Sequence, residues 1–207
     1  MPLLTLVVGL TVAAPVMGLI SLVVGLAVLA TSWRHVDLSS VRRLVIGSLL
    51  GIPIGVLLLK RVPEDVLTRG LGVLLIAFGI YRLLTPQLPR IARWWAYAFG
   101  FIAGCFGGAY NVGGPPVVIY GSMRGWEPRR FRGTLQGFFL TTSVVVAIAH
   151  ALGGLWSVRV WTLFAVAVPG VLLATFLGDR LVERTDADSF ARYLSLLLIG
   201  LGVALFF

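Results

Sequence analysis

The residues Asn111-Val112-Gly113-Gly114-Pro115-Pro116 set an amide side chain beside paired glycines and paired prolines, inside an otherwise apolar stretch. Proline has no N–H to give and adjacent glycines weaken a helix, so continuous helix is not expected through them. A helix that restarts after such a break offers free N–H groups and the positive end of its dipole, a combination that suits an anion. Gly113, Gly114, Val117 and Val118 are expected to donate there, whereas Pro115 and Pro116 cannot and instead preset the first turn. The plainer alternative is a glycine-rich hairpin that only lets two helices pack closely. The ligand reading is preferred because interrupted helices in transporters often hold substrate.

Downstream, Thr134, Gln136, Thr141, Thr142 and Ser143 place polar groups inside a hydrophobic stretch, where they need partners in a bundle or a wet cavity. Serine and threonine often make ordinary helix contacts in membranes, so Gln136 and Thr134 alone join Asn111, Gly113, Gly114, Pro115 and Val117 as candidate substrate-binding residues. Arg130 and Arg132 stand at the mouth of this stretch and are read as headgroup anchors. His35 and His150 lie near segment ends, without a carboxylate or second histidine at metal spacing, and are read as interfacial.

Missing residue types narrow the chemistry further. No aspartate or glutamate falls in the middle of a hydrophobic stretch, which argues against a buried cation site and favours an anionic substrate. There is no HExxH, no P-loop and no paired serine and histidine, so neither an enzyme nor an ATP-driven pump is expected, and neither a metal nor a cofactor.

These residues must be positioned within a bilayer. Of 207 residues 58% are hydrophobic and 12% charged, against about 25% charged in a soluble domain. The excess of arginine gives a formal charge of +9, but the arginines lie between the apolar stretches, which points to membrane loops and not to nucleic acid. Hydrophobic segments run at about Leu3–Ser32, Val41–Leu59, Val66–Leu84, Trp94–Ser122, Phe131–Leu152, Val158–Gly178 and Ser189–Phe207. Met1–Ser32 lacks a basic leader and reads as the first of these, not as a signal peptide. A straight helix of about thirty residues would reach about 45 Å, well beyond the hydrocarbon thickness of about 30 Å. Leu3–Ser32 is therefore expected to break at Ala13-Ala14-Pro15, and Trp94–Ser122 within Gly107–Pro116. Cys105 is read as a packing residue. The stripes Gly47-x3-Gly51-x3-Gly55, Gly100-x3-Gly104-x3-Gly108 and Gly133-x3-Gly137 are read as close helix contacts.

The chain also resembles itself. Gly47-Ser48-Leu49-Leu50 aligns with Gly170-Val171-Leu172-Leu173, Gly55 with Gly178, Arg61 with Arg184, Asp65 with Asp188 and Arg69 with Arg192. Pro2 and Pro15 align likewise with Pro115 and Pro128. If Trp94–Ser122 enters and returns on one side, the clusters Arg34/Arg42/Arg43, Arg82/Arg90/Arg93, Arg124/Arg129/Arg130/Arg132 and Arg180/Arg184 all share one face, which is then cytoplasmic. The two halves then have opposite topology, a transporter signature. The expected architecture is an all-α polytopic integral membrane protein with about seven hydrophobic segments, broken or re-entrant helices and two inverted-topology repeats. A first repeat over 1–84 and a second over 94–207 flank a cytoplasmic linker at 85–93.

The run Gly100–Pro116, continuing through Val117-Val118-Ile119-Tyr120 to Arg130-Phe131-Arg132-Gly133-Thr134-Leu135, resembles the sulfite exporter TauE/SafE family over nearly the whole chain. That resemblance implies a multi-pass protein of the bacterial inner membrane that exports or exchanges sulfite, sulfonates or related small organic anions. Gly113, Gly114, Pro115 and the Thr134 region carry the match. Family members usually begin with a further helix ahead of the proline that matches Pro2; its absence here implies a short form or a start placed too late, and argues against a symmetrical two-loop site. The expected partners are a small anion and the lipid bilayer, with no nucleic acid and a homo-oligomer left open. The competing reading is a non-transporting membrane subunit, or a truncated remnant, that packs with a partner.

Overall fold

The computed structural model describes residues 2–32, 36–84, 89–182 and 187–206, and these form helices and short connections with no strand. The helices are α1 (Pro2–Val8), α2 (Leu10–Ser32), α3 (Leu38–Arg61), α4 (Glu64–Leu84), α5 (Trp95–Tyr110), α6 (Gly114–Met123), α7 (Pro128–Leu152), α8 (Val158–Val182) and α9 (Ala187–Ala204). Four stretches among the described residues are long and apolar enough to cross a membrane: Leu38–Arg61, Glu64–Leu84, Arg129–Leu152 and Val158–Thr175. Their outer faces carry exposed leucine, isoleucine and valine, Leu50, Val66 and Val166 among them, as lipid contact requires. The chain is an all-α, polytopic membrane protein.

The first long segment does break, but at Gly9 and not at Ala13-Ala14-Pro15. Gly9 takes φ +81°, and the next residue, Leu10, donates its N–H to the Glu64 carboxylate at the start of α4. Pro15 lies inside α2. Glycine alone enters the left-handed region at little cost, whereas a proline within a membrane helix is tolerated when neighbours satisfy the freed carbonyl.

The second long segment forms a hairpin. From the chain ahead of α5, the Ile91 N–H donates to the Met123 carbonyl (3.3 Å), and the Ile91 carbonyl accepts from the Arg124 guanidinium (2.6 Å). The Tyr120 hydroxyl donates to the Arg93 carbonyl (3.3 Å). The beginning of α5 and the end of α6 therefore sit together, at one end of the bundle. Gly107 and Gly108 remain helical, so the interruption is confined to Asn111-Val112-Gly113.

Glycine stripes fix α5 in place. A β-carbon added at Gly100, Gly104 or Gly108 would lie 2.1, 2.5 or 2.3 Å from the carbonyl oxygens of Leu44, Ser48 and Ile52 respectively. Residue numbers rise together along this seam, so α3 and α5 run parallel with their backbones in contact. Gly47, Gly51 and Gly55 face back in the same way onto Tyr97, Phe101 and Cys105, whose carbonyls lie 2.1–2.2 Å from the would-be β-carbons. Gly137 uses its missing side chain against Val36 and Val41. A second glycine seam, through Gly72, Gly79 and Gly202, joins α4 to α9 in antiparallel sense.

Asp37 ties the loop before α3 to α7 at the hairpin's open end. Its carboxylate accepts from the Ser39 and Ser40 N–H groups, capping α3, and pairs with Arg130, while its own N–H donates to Thr134 Oγ1 (3.2 Å). Burial pushes the Asp37 carboxyl up, but Arg130 and the bonds from Ser40 and Ser39 outweigh it and hold the group well below the usual carboxylate range. With a native pKa below the unfolded one, the stabilisation is complete above the unfolded value and fades only as pH falls toward the native one. Asp37→Ala should cost about 1 kcal/mol from the cap alone. Asp37→Asn, which keeps an accepting oxygen, should cost less. Thermal melts of purified protein check both, and an Asp37→Ala melt that superimposes on wild type at neutral pH refutes the role.

Candidate functional site

A cavity of about 450 Å³ opens where the hairpin stops short, between α2, α3, α5 and α7. That volume lies within the range of small-molecule sites, about 300–1,000 Å³. Asn111, Gly113, Gly114 and Pro115 line it from the interruption, Ser21 and Gly25 from α2, and Gln136, Thr142 and Ser143 from α7. None of the lining residues is charged.

Asn111 is, among the described residues, the one non-glycine with positive φ (53°, with ψ 33°). Asparagine is one of the few side chains that tolerate this conformation, and it closes α5 here. Its N–H donates to the Gly107 carbonyl (2.9 Å) and that of Val112 to the Phe106 carbonyl (3.3 Å). The Asn111 side chain donates through Nδ2 to Ser21 Oγ (3.0 Å). One residue thus terminates the helix and joins α5 to α2 at the cavity wall.

The restart follows at once. With α6 beginning at Gly114, the regular pattern of a helix commits the Val117 and Val118 N–H groups to the carbonyls of Gly113 and Gly114. The expectation that Val117 and Val118 donate to a ligand is thereby corrected. Pro115 and Pro116 have no N–H, so the helix start leaves Gly113 and Gly114 as its donors. A β-carbon at Gly114 would stand 3.4 Å from Phe139 Cζ, so the missing side chain keeps the approach to these donors open.

Two candidates lie elsewhere. Val117 is fully buried in an apolar cluster with Leu44, Ala103, Tyr120 and Phe138. Thr134, also fully buried, holds the Asp37 backbone. Gln136 does reach the cavity, its Nε2 donating to the Gly25 carbonyl (3.4 Å). Arg130 pairs with Asp37. Cys105 has its backbone on the α3 seam. His35 lies outside the described residues. His150, read as interfacial, lies in the last turn of α7 and is fully buried in the bundle, its Nε2–H donating to the Gly108 carbonyl (2.8 Å). Ser21 was not recognisable in sequence, because a lone serine in an apolar helix carries no spacing signal.

A profile described as sulfite exporter TauE/SafE matches residues 1–205. The chain belongs to the TauE/SafE family. It is 31% identical over 202 residues to a protein of Cupriavidus necator named a probable sulfite/organosulfonate exporter TauE, a match covering 94% of this chain and 78% of that relative. No solved structure matches it. Membership in this family makes the chain a membrane transporter, in keeping with its apolar helices. It also makes the neutral, donor-lined cavity the place to look for a ligand.

Proposed function

We propose that this TauE/SafE protein is a secondary transporter of the bacterial inner membrane that exports or exchanges a small anion such as sulfite, a sulfonate or a related organic anion. The observation that carries the reading is the cavity at the α5–α6 interruption, which Asn111, Gly113 and Gly114 line and no charged residue does. Preorganised neutral donors at a helix start hold an anion without a formal positive charge, which leaves release inexpensive. The name of the Cupriavidus relative supports sulfite and organosulfonates as the class to test. Asn111, Gly113, Gly114, Pro115 and Gln136 form the proposed binding wall. The halves 1–84 and 94–207 are proposed as inverted repeats about the 85–93 linker.

Purified protein in proteoliposomes should catalyse flux of at least one of sulfite, sulfoacetate, sulfate and the zwitterionic sulfonate taurine above the rate of empty vesicles. If the inserted protein moves none of them, the transport reading fails and a non-transporting subunit becomes the better account.

Orientation is tested separately. In a Cys105-free background, single cysteines in Leu83–Arg93 and in Gly121–Phe131 should react from the cytoplasmic side, because these arginine-bearing loops meet at one end of the bundle. Labelling of the two loops from opposite sides would refute the re-entrant hairpin and the inverted repeat with it.

A further inference from the structure

His150 is a titratable group that the anion site does not use. It is fully buried, and its Nε2 faces the Gly108 carbonyl at 2.8 Å. A carbonyl only accepts, so Nε2 must carry the proton, and in the neutral ring Nδ1 is then a bare lone pair. Among the described residues Nδ1 has no hydrogen-bond partner. Buried polar atoms are nearly always satisfied, so an orphan inside a transporter bundle calls for a reason.

Gly18 supplies the geometry. The point where its side chain would begin lies 3.7 Å from His150 Nδ1 and 3.8 Å from Asn111 Oδ1. Glycine there leaves a gap between the two polar atoms. Asn111 Nδ2 is bonded to Ser21 on the cavity wall, which leaves Oδ1 to accept across that gap. His150 Nδ1 and Asn111 Oδ1 therefore flank one open point, not hydrogen-bonded to each other, and Asn111 continues to the cavity wall.

Among the described residues, the helices packed on α7 hold no counter-charge for His150. α2 has no ionisable residue, α5 has Tyr97, Cys105 and Tyr110, and α6 has Tyr120. On α3, Lys60 and Arg61 are exposed at its end and Arg42 and Arg43 lie at its start, while the arginines of α7 occupy its first turn, remote from His150 at its end. No carboxylate of these elements can balance an imidazolium. An anion arriving in the adjoining cavity can.

On the basis of the anion-transport reading, we propose that His150 is a proton-coupling residue, taking a proton at Nδ1 as the anion binds and giving it up when the anion leaves. The proton comes from the aqueous phase open to the cavity and departs to the opposite one. The ring keeps its Nε2–H on Gly108 throughout, so only Nδ1 changes state. The new Nδ1–H donates across the Gly18 gap to Asn111 Oδ1, and binding of the negative charge favours the charged ring. Anion and proton cross together. His150 is a positioning and coupling residue, since Asn111 and Ser21 stand between it and the substrate.

Two histidines in the chain make a direct readout practicable. In a His35→Gln protein labelled with 15N-histidine and held in nanodiscs at fixed, buffered pH, the His150 ring should show the neutral Nε2–H tautomer. It should convert to imidazolium on adding sulfite, sulfoacetate or sulfate. A ring that stays neutral with each anion at saturating concentration overturns the proposal. In proteoliposomes carrying a trapped pH dye, sulfoacetate or sulfate, which do not titrate near neutral pH, should move with protons in fixed ratio. His150→Gln, which can still donate to Gly108 but cannot hold a second proton, should lose the proton movement. Gly18→Ala, whose methyl fits but fills the gap, should lose it as well. A wild-type proton-to-anion ratio in either variant overturns the proposal. Ring protonation without flux would sink the transport reading alone, and flux without ring protonation would sink the coupling alone.

Discussion

Gly114→Val should reduce anion flux to the rate of empty vesicles while the protein still inserts and folds. The β-carbon position at Gly114 stands 3.4 Å from Phe139 Cζ, and the valine methyls reach further into the space beside the start of α6, where Gly113 and Gly114 line the cavity. The cost to folding is small because the side chain enters a cavity and not a packed seam. Asn111→Leu removes a donor at the same wall; losing one charge-assisted hydrogen bond costs about 1.5–3 kcal/mol, roughly ten- to hundredfold in affinity. Leucine also strains the left-handed backbone at this position. Asn111→Gly separates the effects, since glycine accepts φ 53° and lacks only the amide. Flux measured on proteoliposomes with equal amounts of inserted protein decides the matter, and wild-type flux in Gly114→Val would sink the proposed binding wall.

The interruption at Asn111–Gly113 was legible in sequence because prolines that can open a helix cannot continue one, so Pro115 and Pro116 mark a restart and require a break just before it. The break in the first segment was not, since its position depends on Glu64, far along the chain, reaching the N–H of Leu10 after a glycine that can take positive φ. Pro15 looked the stronger breaker, yet a bundle can absorb one missing N–H. The α3–α5 contact was legible in kind, from two glycine stripes at four-residue spacing, but not in partner, because spacing does not say which stripe meets which. Thr134 and Val117 were near the right place in the chain and the wrong place in space. Thr134 lies at the end of α7 that meets Asp37, and Val117 points from α6 into the apolar cluster. His150 does lie near the end of its segment, in the last turn of α7, but spacing did not show that neighbouring helices bury it. Its burial comes instead from the helices packed on α7: the Gly108 carbonyl of α5 accepts from Nε2, and Gly18 of α2 lies beside Nδ1.

The α3–α5 seam predicts that one repeat position behaves oppositely in its two copies. Gly47 and Gly170 align in the proposed internal repeat, but a β-carbon at Gly47 would lie 2.1 Å from the Tyr97 carbonyl, and at Gly170 nothing among the described residues lies within 4 Å. No side-chain rotation can relieve the first contact, because the opposing atom is backbone. The helices must separate, and the close approach that holds them is lost along the whole seam. Gly47→Ala and Gly51→Ala, whose β-carbon would lie 2.1 Å from the Phe101 carbonyl, should each destabilise the protein by at least the ~1–3 kcal/mol typical of overpacking. Gly170→Ala should be neutral, or slightly stabilising through helix propensity. Yield of monodisperse protein and the apparent melting temperature in detergent read the difference. Flux per folded molecule should fall less in Gly51→Ala than in Gly114→Val, since Gly51 does not line the cavity. Equal melting temperatures for Gly47→Ala and Gly170→Ala would show that α3 and α5 are not in backbone contact, and the placement of Asn111 at the cavity, which depends on that contact, would fall with it.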